Sequence, residues 1–177
     1  MSRKLLMAVL LAASTFSAHA AKPGDNPRMA EMFKEDQDAR RSMPIDWSKV
    51  GPMDKAHVSE TLSLVKAGAL RTSNDFYRAA MIMQHGDSLS DYKLAFSLSQ
   101  LSATIDPSNK MARWLSAASW DRILMSKGVP QWYGTQYRSP SPGAPPTLYK
   151  IDESVISDAE RIELNVPTLQ ERQQGED

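Results

Sequence analysis

The chain contains no cysteine. That excludes a disulfide framework and excludes a lipid attached through cysteine. A domain of 177 residues can still be held by its core alone. Histidine is scarce as well, with three in all, one of them His19 near the N-terminus. Without cysteine, and with no His-x-x-x-His or carboxylate cluster at ligand spacing, no metal site is expected. No glycine-rich phosphate loop occurs, so no cofactor is expected either. Charge of one sign is also missing: 21 basic residues face 21 acidic ones. Nucleic-acid binding needs concentrated positive charge, so nucleic acid is not an expected partner. Apolar runs are short, and none approaches the roughly 20 residues that span a bilayer.

What the chain does have begins at its start. Arg3 and Lys4 precede the apolar run Leu5 to Leu11, and Ala18-His19-Ala20 follows. A basic start, a short apolar stretch and a small-x-small site predict a secretory signal over residues 1–20, cleaved after Ala20. Cleavage leaves 19 basic against 21 acidic residues, a formal charge of −2. The expectation is a periplasmic or secreted bacterial protein with no membrane span in the mature chain.

Residues 21–27 hold two prolines and a glycine and read as a flexible lead-in. From 28 to 138 the pattern is helical. Met29, Met32 and Phe33 recur at helical spacing after Pro27, and Asp36 and Arg40 share a face as an i,i+4 pair. Such a pair is most simply a solvated salt bridge. Trp47 reads as an anchor on the core. A second helix is expected over about 53–67, with Val58, Leu62 and Val65 as its stripe and Gly68 as its stop. His57, near its start, reads as a surface or structural residue.

Ser73 or Asn74 is the expected cap of a third helix. Phe76, Ala79, Ala80, Met81, Ile82 and Met83 are apolar on nearly every side, which marks a central helix surrounded by others. Gln84 and His85 fall in its last turn, where a cationic histidine is also favoured by the helix dipole. The fourth helix runs to about 104, on a stripe of Leu94, Leu98 and Leu101. Asp106-Pro107 restarts the chain into a fifth, to about 127, with Met111, Leu115 and Ala118 on its buried stripe. Asp121 and Arg122 lie beside that apolar face, where a charge needs a partner or water.

Gln131-Trp132-Tyr133-Gly134-Thr135-Gln136 ends the helical pattern, and four prolines fall within 139–146. Residues 139–177 therefore read as an irregular strap with short C-terminal helices, capped at Ser157 and Thr168, and a fraying tail. The expected fold is all-α, a single domain of about five packed helices. Small residues at the helix contacts, with the Asp-Pro restart, resemble the packing of tetratricopeptide or Sel1-type helical hairpins. The 34-residue signature of those repeats is missing.

Two motif readings compete. Gly86-Asp87-Ser88-Leu89-Ser90 resembles the nucleophile block of the GDSL hydrolases, with a distant match to their Asp-x-x-His block at Asp54 and His57. In that family the second block follows the serine, and the serine ends a strand. Here the order is reversed and no strand precedes Gly86, so a helix cap explains the serines better. The broader resemblance is to an uncharacterised family of bacterial domains. It rests on Asp36-Gln37 with Arg40; on Asp75-x-Tyr77-x-Ala79-Ala80 running to Gln84-His85-Gly86; and on Ala118, Asp121-Arg122, Gly128 and Gln131-x-Tyr133-Gly134-Thr135-Gln136. It spans about 30–170, with Trp132 where a polar or basic residue would be expected. It implies a mostly helical domain and no established activity.

The candidate site is therefore Asp36, Gln37, Arg40, Asp75, Tyr77, Gln84, His85, Asp121, Arg122, Gln131, Tyr133, Thr135 and Gln136. Converging, these side chains form either a buried network that fixes the fold or a lined pocket. The leading expectation is a non-catalytic module that binds an unidentified protein, peptide or small ligand. The alternative is a hydrolase or lyase with His85 as acid or base, an aspartate such as Asp121 beside it, and Arg122 on an anionic group. An exposed His85 in a concave pocket, within reach of a carboxylate, favours the enzyme. A His85 packed away and capped by backbone favours the module.

Overall fold

The computed structural model describes residues 23–41, 44–141 and 143–174. The expected signal, residues 1–20, lies outside them. Among the described residues there are seven helices and one two-stranded sheet. The helices are α1 (Pro27–Arg41), α2 (Trp47–Lys66), α3 (Ser73–Gln84), α4 (Leu89–Ile105), α5 (Lys110–Ser126), α6 (Asp158–Glu163) and α7 (Leu169–Gln174). The strands β1 (Tyr137–Arg138) and β2 (Thr147–Leu148) pair antiparallel, Tyr137 opposite Leu148. None of these helices is long and apolar enough to cross a membrane. The all-α expectation of about five core helices holds.

The apolar sequence of α3 explains the architecture. A helix without a polar face must be enclosed, and α3 packs against α1, α2, α4 and α5. Its Ala79, Ala80, Met81, Ile82 and Met83 sit in one buried cluster with Met29, Met32, Leu70, Ala95, Leu98, Leu115 and Ala118. Ala79, Ala80, Ala95 and Ala118 in that cluster let the helices approach closely, and methionine fills the irregular gaps.

Several local expectations are corrected. The helix α2 starts at Trp47, because Asp46 caps it through the Ser48 amide, and it carries Pro52 inside it. Trp47 stands on the surface, 64% exposed, and anchors nothing in the core. The α3 cap is Thr72, which forms a reciprocal capping box with Asp75. Asn109 caps α5, whereas Asp106 closes α4 and holds the Ser108 amide and hydroxyl. Met111 and Leu101 are exposed, since one face of each long helix has no neighbour. Ser88 caps α4 by bonding Asp91, as the helix-cap reading of the Gly-Asp-Ser-Leu segment requires.

The lead-in is fastened at its end. Asp25 accepts from Thr72 and Arg78, and Asn26 donates its backbone N–H to Asp75 at 2.7 Å. The strap is also less peripheral than its proline content suggests. Val166, Arg161 and Arg172 are buried, so α6 and α7 close over the end of the helical layer.

Candidate functional site

The thirteen candidate residues do not form one site. The fold gathers them into two clusters, and leaves three of them apart.

The first cluster joins α1, α2 and the end of α3. Asp36 is 1% exposed, although its spacing from Arg40 suggested a solvated pair. Its Oδ1 accepts from Arg40 Nη1 at 2.7 Å and lies 2.8 Å from His85 Nδ1; its Oδ2 accepts from Gln37 Nε2 at 2.8 Å. The second arm of Arg40 forks onto both oxygens of Asp54, at 2.8 and 2.7 Å. Burial pushes the Asp36 carboxyl up. The His85 bond, the charges of His85 and Arg40 and the Gln37 amide outweigh it, and hold the group below its ordinary value. The carboxylate faces Nδ1, which makes that nitrogen the donor and leaves Nε2 as the outer position of the ring. Among the described residues Nε2 has no protein partner.

His85 keeps 21% of its side chain exposed. It lines a groove of about 450 Å³ with Gly51, Asp54, Lys55 and Val58 from α2 and Gly86, Asp87 and Asp91 from the turn into α4. Gly86 is required there. A Cβ on it would lie 2.6 Å from both the Cβ and Oδ2 of Asp91, which completes the α4 capping box with Ser88. Behind the cluster, His57 is buried and bonds Glu35 at 3.0 Å, a structural placement.

The second cluster clasps the aromatic turn. Asp121 is fully buried. Its Oδ1 accepts the backbone N–H groups of Trp132 (2.8 Å) and Tyr133 (3.1 Å), and its Oδ2 those of Thr135 (3.1 Å) and, again, Tyr133 (3.2 Å). The Thr135 hydroxyl also donates to Oδ2, at 2.9 Å. Burial raises the Asp121 carboxyl above its ordinary value, against the pull of those donors. Gln131 imitates a strand residue. Its Oε1 accepts from Gln136 N, its Nε2 donates to Gln136 O and Tyr149 O, and its backbone bridges Ile151. Gln136 and Gln84 both donate to Ala118 O, at 3.1 and 3.2 Å. Arg161 reaches Trp132 O and Arg172 reaches Gly134 O, so the last two helices hold the same turn. This cluster is the buried polar network, and most of its acceptors and donors serve one another, though Gln84 Oε1 and Arg161 Nε are buried without a partner. The acid–base role considered for Asp121 finds no geometry here, because loop donors take both of its oxygens.

Asp75, Tyr77 and Arg122 stand apart. Asp75 accepts from the amides of Asn26, Arg71 and Thr72 and ties the lead-in to α3. Tyr77 packs on Phe33, ring centroids 5.6 Å apart, and burial raises its hydroxyl pKa. Arg122 lies over the Tyr92 ring and does not line the His85 groove.

Sequence reading missed Asp54, Asp87 and Asp91 as groove residues, and Arg161 and Arg172 as clamps. Asp54 could have been found, because it lies on the same turn of α2 as His57. The two arginines sit in a polar stretch that carries no periodic signal. Among the described residues no group of three histidine or acidic side chains could hold a metal ion. Compared with family models, curated proteins and solved structures, the chain matches none.

Proposed function

We propose that this chain is an exported, non-catalytic module that binds a partner, peptide or small ligand in the groove beside His85. The observation that carries the reading is the double duty of His85. It is oriented by a buried carboxylate and it also lines an open groove. The other polar walls are Asp54, Asp87 and Asp91, set against a single ammonium at Lys55. Arg40 already holds Asp54, and Asp91 serves the α4 capping box, so the Asp87 carboxylate and the outer nitrogen of His85 are the groups left to a ligand; they favour one that donates hydrogen bonds and carries positive charge, such as a primary amine or guanidinium. The three-block likeness supports the reading too, because Asp36 of its first block bonds His85 of its Gln-His-Gly segment, and His85 and Gly86 line this groove. The export rests on the signal-like start of the chain.

The test is a thermal-shift screen of wild type, His85→Ala and Asp87→Asn with lysine- and arginine-containing tripeptides and short alkyl diamines. Stabilisation of the wild type, lost in both variants while their own melting stays close to wild type, supports the module. A large loss of stability in His85→Ala, with no probe shifting any of the three proteins, makes the residue structural.

A second reading is a hydrolase or lyase with His85 as general base. The Asp36–His85 bond favours it, because a carboxylate at Nδ1 is how an imidazole is held for proton transfer. The anion-binding part of that reading has no support in this groove, since Arg122 lines a different cavity. Ser88 is committed to capping α4. Turnover of an ester or an elimination substrate by wild type, lost in both His85→Ala and Asp36→Asn, would decide for it.

A further inference from the structure

Arg122 is a cation without an anion. It projects from α5 with its guanidinium carbon 5.8 Å from the centroid of the Tyr92 ring, and its Nε is buried without a hydrogen-bond partner. Among the described residues no carboxylate forms an ion pair with it. Arg113 also has a buried Nε without a partner, but two other arginines withdrawn from water are treated differently. Arg40 holds Asp36 and Asp54, and Arg161 holds Asp158 together with two backbone carbonyls. A charge removed from water is costly unless it is paired. Burial accordingly disfavours the Arg122 cation, and only Tyr92 opposes that effect.

The surroundings supply a reason to keep the charge. Arg122 lines a cavity of about 410 Å³ with Tyr92, Met125, Ser126, Gly128 and Arg138. Arg138 stands exposed on β1, and it too has no carboxylate partner among the described residues. Two guanidiniums thus share a concave wall with no acidic side chain on it. The C-terminal end of α5 adds about half a negative charge nearby. Its last carbonyls already accept from Lys127, Gly128 and Val129. That end offsets part of one cation and leaves the wall positive.

We infer that this cavity binds an oxyanion group, carboxylate or phosphate, on a small ligand, with the half-buried Arg122 as its inner anchor and Arg138 as its outer contact. The planar forks of guanidinium suit either anion bidentately. The cavity has room for more than the anion itself, and Met125 and the Tyr92 ring offer apolar surface to the remainder. This site is separate from the His85 groove, so each stands or falls alone.

Calorimetric titration of the whole protein with inorganic phosphate and with acetate, at constant ionic strength set with chloride, tests it. Binding of phosphate alone assigns a phosphate ligand, of acetate alone a carboxylate, and of both an oxyanion in general. Arg138→Ala removes one charged contact from an exposed position and should weaken binding about tenfold. Arg122→Met should abolish it without lowering the melting temperature of the anion-free protein, because an apolar side chain there no longer has to be desolvated as an ion. A purely structural Arg122 would lower that melting temperature instead. His85→Ala should bind the anions as wild type does. No binding of either anion by wild type, or unchanged binding in Arg138→Ala, overturns the proposal, and Arg138→Ala decides alone if Arg122→Met does not fold.

Discussion

Replacing Asp121 by asparagine is the sharpest perturbation of the C-terminal clasp. The substitution keeps the shape and converts one oxygen to an N–H donor. Either orientation of the amide then costs an acceptor. If Oδ1 is lost, the Trp132 N–H at 2.8 Å faces a donor; if Oδ2 is lost, the Thr135 N–H at 3.1 Å does. The Thr135 hydroxyl can rotate and accept, but a backbone N–H cannot. At least one buried N–H is therefore stranded, at about 1–3 kcal/mol, and the remaining bonds lose the strength that a charged acceptor gives. Burial has already raised the Asp121 carboxyl, so the neutral amide forfeits less electrostatic energy than it would at a site that favours the ion. A total of about 2–4 kcal/mol follows, or roughly 5–15 °C in melting temperature for a domain of this size. Urea denaturation followed by circular dichroism measures the loss. Hydrogen exchange should place it at the amides of Trp132, Tyr133 and Thr135. A loss under about 1 kcal/mol, or unchanged protection of those amides, refutes the reasoning.

Gly86→Ala should destabilise by about 1–3 kcal/mol in the same urea assay, because the new Cβ meets Asp91 at 2.6 Å, next to its backbone attachment. Asp75→Ala removes both the α3 capping box and the acceptor for Asn26, and should cost about 2–3 kcal/mol, with faster proteolysis at the N-terminal end. Asp36 is held below its ordinary value, so it contributes stability that is present above the unfolded carboxyl value near 4 and is lost as pH falls through the folded one. The stability gap between wild type and Asp36→Asn should thus be widest near neutrality and shrink as pH falls below the ordinary carboxyl value; a gap that widens in acid contradicts the assignment.

The helices were legible because their apolar spacing and their caps are local. The all-round apolar pattern of Phe76 to Met83 even identified the central helix. What was not legible is depth. Asp36 and Arg40 share a helix face in any structure, and only the packing of α2 and α3 against α1 makes that face an interior. Proximity to an apolar stripe announced that Asp121 needed a partner. Its partners proved to be backbone amides of a turn about three helical turns further along, and no side-chain pattern encodes those. Met111, Leu101 and Trp47 show the reverse error, since an apolar residue at the right spacing is buried only where a neighbour exists. Ten of the thirteen polar residues do cluster, but the division between a network around Asp121 and a groove around His85 was not legible, nor was the separate placement of Asp75, Tyr77 and Arg122.

The Gly134 carbonyl waits for Arg172, and the Trp132 carbonyl for Arg161. Both arginines follow all five long helices in sequence. The aromatic turn therefore stays incompletely tied until α6 and α7 have docked, so the five long helices cannot close that end of the helical layer by themselves. A chain cut short before Arg161 would carry its five large helices and still lack the side chains that lock their open end.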